Sequence, residues 1–141
     1  MDAFLDKAKN IDTIEEASAL LWEQLPTPLP ETTKALELSL EAHKGQTRKS
    51  GEPYIVHPIL VAAITAKISN DEMMVQAALL HDVVEDTSFT IEELERKFGY
   101  DVAHMVEGLT KIVEIRDEEL IPSGSDERLI NSALTFRKML I

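Results

Sequence analysis

Two histidines and one aspartate in this sequence are candidate ligands for a divalent metal ion, and two of the three are adjacent. His81 and Asp82 directly follow the apolar run 77–80, and His57 precedes Pro58. Two imidazoles and one carboxylate form a mixed nitrogen and oxygen set that suits Mn²⁺, Fe²⁺, Co²⁺, Ni²⁺ or Zn²⁺. Such a cation can polarise a phosphoryl oxygen and lower the pKa of a bound water molecule. The alternative is a hydrogen bond between His81 and Asp82 inside the core, because a His-Asp pair also occurs by chance.

Two further carboxylates follow at a spacing of one helical turn. If the helix continues, Glu85 lies one turn after His81. Asp86 lies one turn after Asp82 in the same way. At the edge of a metal site, such groups can position water, accept its proton or protonate a leaving oxygen. The simpler interpretation is a solvated helix end, although acidic side chains at a helix C-terminus oppose the helix dipole.

A short basic segment supplies the opposite charge. Lys44, Arg48 and Lys49 occur close together, and the next acidic residue is Glu52. A guanidinium can stack on a nucleobase, whereas an ammonium meets a phosphate as a point charge. A metal site beside such a loop predicts a site for a highly phosphorylated nucleotide. A solvated loop without a ligand is the alternative interpretation.

The elements that must position these residues are helices, because helical periods recur along the chain and strand alternation does not persist. Capping residues, prolines and glycines predict helices over 13–25, 31–44, 58–68, 71–82, 90–99 and 101–109, then a polar loop over 114–126 and a last helix. Pro58 is expected at the first helical position, which leaves His57 at the helix entrance. His43 ends the apolar stripe of the second helix, where a packed histidine is favoured over a ligand. The sequence therefore predicts an all-α protein.

Composition limits the classes of function. The 141 residues carry a net charge of −12, which argues against DNA as a partner because a nucleic-acid surface is basic. No apolar run reaches the ~20 residues of a membrane span, and residues 1–10 lack a secretion signal. The absence of cysteine excludes disulfides and thiolate metal sites. We expect one domain in the cytoplasm. The apolar pattern still continues at Ile141, so a fragment of a longer protein is expected.

Two long motifs in the sequence are distinctive enough to indicate a protein family. Residues 48–58 read Arg-Lys-Ser-Gly-Glu-Pro-Tyr-Ile-Val-His-Pro, and residues 77–87 read Ala-Ala-Leu-Leu-His-Asp-Val-Val-Glu-Asp-Thr. Both resemble the N-terminal hydrolase region of the RelA/SpoT family, the long stringent-response enzymes of bacteria. This region belongs to the wider HD superfamily of metal-dependent phosphohydrolases. Shorter matches lie at 98–99, 106–111 and 136–139. The resemblance covers residues from about 35 to 140, whereas 1–30 are only loosely similar.

The resemblance implies an all-helical HD-domain bundle that forms a single domain over 1–141. It implies Mn²⁺-dependent hydrolysis of (p)ppGpp to GDP or GTP and pyrophosphate. The parent protein is then expected to complete this domain and to continue with synthetase and regulatory domains, as a bifunctional enzyme. The motif is often degraded in family members that act mainly as synthetases. Here it is intact, which favours a parent that can hydrolyse its nucleotide.

The resemblance also assigns roles to individual residues. The residues that match metal ligands are His57, His81 and Asp82. The acidic pair associated with hydrolysis is matched by Glu85 and Asp86. The positions that match nucleotide-contacting residues are Arg48, Lys49 and Ser50.

One departure affects the expected activity. The family's fourth metal ligand is an aspartate in a helix further downstream, and this chain ends before that helix. Three of the four protein ligands are therefore expected here, with part of the substrate pocket. The isolated chain is expected to be weakly active or inactive, because the loss of a ligand weakens metal affinity and site geometry.

Two other functions are consistent with the same residues. The domain could bind guanine nucleotides as a sensing or regulatory module without catalysis, although such binding does not require the intact carboxylates. It could also hydrolyse another nucleotide, against which the basic loop argues. The expected partner is (p)ppGpp, and a homodimer could cover apolar surface on a truncated domain. Ribosomal or regulatory partners are expected only through parts of the parent outside this chain.

Overall fold

The computed structural model of the chain describes residues 2–69 and 71–119, with side chains over 3–69 and 71–109. In this part of the chain the regular elements are seven α-helices. They are α1 (Asp2–Lys9), α2 (Ile14–Gln24), α3 (Pro30–Ala42), α4 (Val56–Ile68), α5 (Glu72–Asp86), α6 (Ile91–Phe98) and α7 (Tyr100–Glu119). The prediction of an all-α protein is confirmed.

The centre of the fold is α5. Every residue from Met74 to Val83 is buried, which is expected of a helix that has neighbours on all sides. The helix packs against α3, α4 and α7, and α4 packs in turn against α2. Residues 58–66 of α4 are also all buried. The metal-binding dipeptide predicted from the sequence therefore lies near the end of the buried part of α5.

A polar contact fixes the start of α5 against α3. The Glu72 carboxylate accepts hydrogen bonds from the Leu29 amide at 2.9 Å and from the Thr32 hydroxyl at 2.6 Å. The buried Gln76 amide donates to the same Thr32 hydroxyl at 3.1 Å. Because buried polar groups are costly unless they are paired, these bonds hold the two helices in one relative position.

Helix starts follow their capping residues. Thr13 accepts from the Glu16 amide at the start of α2, and Asp71 accepts from the Met73 amide at the start of α5. Thr90 and Glu93 form a full reciprocal capping box at α6. The predicted starts of these three helices are confirmed.

Several predicted boundaries differ from the structure; α5, for example, ends at Asp86 instead of Asp82. Helix α4 begins at Val56 instead of Pro58, so His57 lies within its first turn. Proline is tolerated throughout that turn, because the first backbone N–H groups have no helical partner. Helix α7 continues to Glu119, through the first part of the predicted loop 114–126. Glutamate favours helix and no proline lies between Pro58 and Pro122, which explains the continuation. The rest of that loop and the last predicted helix lie outside the described residues.

None of the helices in the described ranges combines the length and the apolar character needed to cross a bilayer.

Candidate functional site

The site is built around the last turns of α5. His81 is 2% exposed and Asp82 is 7% exposed, at the end of the buried run. The His81 Nδ1 atom lies 2.7 Å from the carbonyl oxygen of Ala78. A carbonyl oxygen only accepts hydrogen bonds, so Nδ1 must carry the hydrogen and donate it. The Nε2 atom of His81 then faces Asp82, with a separation of 3.2 Å from Oδ1.

The surroundings of Asp82 favour its charged form. Burial raises the pKa of this carboxyl, but the charges of His81 and His57 and a hydrogen bond from Tyr54 together outweigh burial. The pKa of Asp82 is therefore held below its ordinary value of 3.8. An ionised carboxylate is the state that a metal ligand needs.

The second pair of carboxylates, Glu85 and Asp86, lies in the exposed last turn of α5. Asp86 is the last residue of the helix, so the predicted spacing of one turn after Asp82 is confirmed. The Tyr54 hydroxyl oxygen lies 3.0 Å from Asp82 Oδ2 and 2.7 Å from Asp86 Oδ2. Glu85 is exposed in the same last turn. The two aspartates thus face one shared phenol, while Glu85 lies at the rim.

His57 approaches the site from a different helix. It is half-buried in the first turn of α4 and lies close enough to Asp82 for its charge to lower the pKa of that carboxyl. Within residues 3–69 and 71–109, however, no group of three or more His, Cys, Asp or Glu side chains is arranged to hold a metal ion. The set of three ligands stays a prediction.

The basic segment forms a narrow hairpin that ends at the site. Thr47 pairs with Pro53, and the Arg48 amide donates to the Glu52 carbonyl at 2.9 Å. The Tyr54 amide closes the base of the hairpin by donating to the Gln46 carbonyl at 2.9 Å. The loop that carries the predicted nucleotide contacts is therefore connected directly to the phenol beside Asp82.

Glu52 organises the predicted nucleotide-binding residues. Its Oε1 atom lies 3.5 Å from Arg48 Nε and accepts a hydrogen bond from the Ser50 hydroxyl at 2.8 Å. The hydrogen bond from Ser50, with that from the Glu52 amide and the charge of Arg48, lowers the pKa of Glu52 below its usual 4.5. Lys49 is exposed. In the sequence Glu52 only marks the end of the basic segment, whereas in the structure it holds Arg48 in place.

The sequence also matches the HD domain family over residues 35–141. The chain belongs to the HD domain family. Its site elements, from the hairpin through α4 and α5, lie entirely within the matched range.

Curated relatives confirm the resemblance to the RelA/SpoT family. This chain is 45% identical over 108 residues to a GTP pyrophosphokinase of Myxococcus xanthus, over 77% of its own length and 14% of that relative. It is 44% identical over 104 residues to a guanosine-3′,5′-bis(diphosphate) 3′-pyrophosphohydrolase of Aquifex aeolicus, over 74% of the chain and 15% of the relative. It is 43% identical over 119 residues to the bifunctional (p)ppGpp synthase/hydrolase SpoT of Escherichia coli, over 82% of the chain and 17% of SpoT. The chain thus spans about one sixth of these relatives.

The buried pair of this HD domain fits a divalent cation. With the hydrogen of His81 on Nδ1, Nε2 either carries a second proton or offers a lone pair toward Asp82. Two lone-pair acceptors at 3.2 Å repel each other unless a proton or a cation lies between them. The bond to the Ala78 carbonyl also fixes the ring orientation, as hydrogen bonds to metal-binding histidines commonly do.

Two residues near this site, Tyr54 and His43, are assigned no catalytic or ligand role from the sequence. Tyr54 contacts both aspartates, and the only signal for it is its place three residues before His57 in the motif 48–58. His43 is buried, with Nδ1 2.9 Å from Gln46 Oε1 and its ring 5.0 Å from that of Tyr54. The interpretation of His43 as a packed histidine is confirmed, and the packing supports Tyr54.

Proposed function

We propose that this chain forms part of the (p)ppGpp 3′-pyrophosphohydrolase domain of a longer, bifunctional stringent-response enzyme. The observation that carries the proposal is the buried pair of His81 and Asp82 beside Asp86, next to a basic hairpin. The names of two of the relatives supply the substrate, because a hydrolase of guanosine-3′,5′-bis(diphosphate) and SpoT both share this region. The cytoplasm and a homodimer stay predictions.

The proposed metal ligands are His57, His81 and Asp82, with a fourth ligand supplied from beyond Ile141. Mn²⁺ is the proposed ion, since the mixed nitrogen and oxygen donors suit it. When bound, the ion supplies Lewis acidity toward a water molecule and the phosphoryl oxygens. The Ala78 carbonyl holds the orientation of His81, and the Tyr54 hydroxyl lies beside Asp82.

The remaining site residues act on the substrate and on protons. Asp86, at the surface end of α5, accepts the proton of the attacking water, and Glu85 protonates the leaving 3′ oxygen or orients water at the rim. The water attacks the phosphorus bonded to the ribose 3′ oxygen, so the P–O bond breaks and pyrophosphate leaves. Arg48 meets the guanine face, Lys49 meets a phosphate, and Ser50 supports the hairpin through Glu52.

A Mn²⁺-dependent assay of pyrophosphate release from ppGpp tests the proposed function. It is run on the 141-residue chain and on the protein extended past Ile141. We expect release by the extended protein, with weak or no release by the short chain. Nucleotide that binds tightly without metal and is never hydrolysed by the extended protein would instead favour a non-catalytic sensing module.

Asp82→Asn tests the role of the buried carboxylate. The amide keeps the shape but removes the charge that binds the cation, so we expect hydrolysis to fall by at least about 100-fold. Asp101→Asn, at the exposed start of α7, is the matched control and should retain full activity. Circular dichroism confirms that both variants fold. Equal activity of the two variants would refute the role of Asp82.

A further inference from the structure

The hydroxyl of one tyrosine contacts two carboxylates in this site. The Tyr54 hydroxyl oxygen lies within hydrogen-bond distance of Asp82 Oδ2 and Asp86 Oδ2, at 3.0 and 2.7 Å. A tyrosine hydroxyl has one hydrogen to donate, so it can satisfy only one of the two acceptors at a time. Which aspartate receives the hydrogen depends on how much charge each one carries.

The ring and the backbone of Tyr54 are held in place by neighbouring residues. The Tyr54 ring packs against buried His43, with 5.0 Å between ring centroids. The Tyr54 amide is bonded to the Gln46 carbonyl, and the Gln46 side chain is bonded to His43. Burial, with the nearby charge of Asp82, raises the pKa of Tyr54 far above its usual 10, so the phenol stays protonated as a donor.

We propose that Tyr54 is a positioning residue whose single hydroxyl couples the predicted metal ligand Asp82 to the predicted proton acceptor Asp86. The inference rests on the proposed function for the roles of the two aspartates. When the charge of Asp82 is taken up by a cation, the better acceptor is Asp86, and the hydroxyl donates there. Asp86 is therefore held in one orientation only when a cation is bound at His81 and Asp82. Tyr54 thus links occupancy of the metal site to the alignment of the base.

The coupling can be read without turnover, because the chain has only two tyrosines. Labelling tyrosine with ¹³C at Cζ gives one resonance from Tyr54 and one from Tyr100, which is 62% exposed and stacks on His104. Tyr54→Phe identifies the first resonance by its loss. We expect Asp82→Asn and Asp86→Asn each to shift the Tyr54 resonance and to leave that of Tyr100 in place. A Tyr54 resonance that does not respond to one of the two substitutions would overturn the shared hydroxyl.

The effect on catalysis is measured in the extended protein. Tyr54→Phe keeps the ring against His43 and removes only the hydroxyl, so we expect kcat to fall about 10- to 100-fold with KM changed less than about threefold. Tyr100→Phe is the matched control and should keep both constants.

A double variant tests the coupling. In the Tyr54→Phe background, Asp86→Asn should lower kcat by a smaller factor than it does in the wild type, since Asp86 is already misaligned. Unchanged kcat in Tyr54→Phe, or strictly multiplicative effects, would overturn the inference. A wild-type protein that releases no pyrophosphate would instead overturn the proposed function, while the resonances still test the shared hydroxyl.

Discussion

One hydrogen bond fixes which ring nitrogen of His81 faces Asp82. The Ala78 carbonyl takes the Nδ1 hydrogen, which leaves Nε2 as the atom that faces Asp82. Without that carbonyl a neutral imidazole could donate its one hydrogen to Asp82 instead and form the buried hydrogen-bonded pair that is the alternative interpretation of the sequence. The His-Asp dipeptide was predictable as a candidate site, but the tautomer was not, because it depends on the backbone of the preceding helical turn.

The stabilisation that Glu52 contributes to the fold depends on pH. Its folded pKa lies below the unfolded value of about 4.5, so its bonds to Ser50 and Arg48 stabilise the fold fully above pH 4.5. That stabilisation is lost as the pH falls through the lower folded pKa. We expect Glu52→Gln to reduce the free energy of unfolding by about 1 kcal/mol at pH 7. The difference from wild type should shrink as the pH falls below 4.5.

Urea unfolding at pH 7 and pH 3 measures this difference. Glu37→Gln, on the exposed face of α3, is the control and should change stability little at either pH. A penalty for Glu52→Gln that is the same at both pH values would show that the charge of Glu52 does not stabilise the hairpin.

Among the elements, the hairpin between α3 and α4 depends on a backbone conformation that favours glycine. Gly51 has φ of +102° at the turn, where any larger residue is strained. A Cβ atom at Gly51 would meet nothing within 4 Å, so the cost comes from the backbone alone. Ser50-Gly51 and Glu52-Pro53 are dipeptides typical of turns, but the pairing of Arg48 with Glu52 is seen only in the folded loop.

Gly51→Ala tests whether the hairpin must be rigid to bind nucleotide. We expect a loss of stability of about 1 to 3 kcal/mol and a several-fold weaker affinity of the extended protein for ppGpp, measured by calorimetry. Gly99→Ala is a matched control, because Gly99 also has a positive φ, of +93°, and open space, but lies between α6 and α7. It should lose similar stability and keep its nucleotide affinity. Equal affinities in the two variants would mean that the hairpin does not contribute to binding.

Across the whole molecule, the helices were more predictable from the sequence than the contacts between the elements. Capping residues fixed the starts of α2, α5 and α6, since each cap is a local interaction between neighbouring residues. The entry to α4 was misplaced by two residues because proline permits several positions in a first turn. Tyr54, Asp82 and Asp86 meet only through the packing of the hairpin on α5, and no local pattern encodes such a contact.

We propose that His81 and Asp82 share one divalent cation with His57. Crystals of the extended protein grown with Mn²⁺ and measured at the manganese absorption edge would show where the ion binds. We expect a single anomalous peak within ligand distance of His81 Nε2, an Asp82 oxygen and a His57 ring nitrogen. A manganese peak elsewhere, or a His57 ring that points away from an ion bound at the pair, would contradict it.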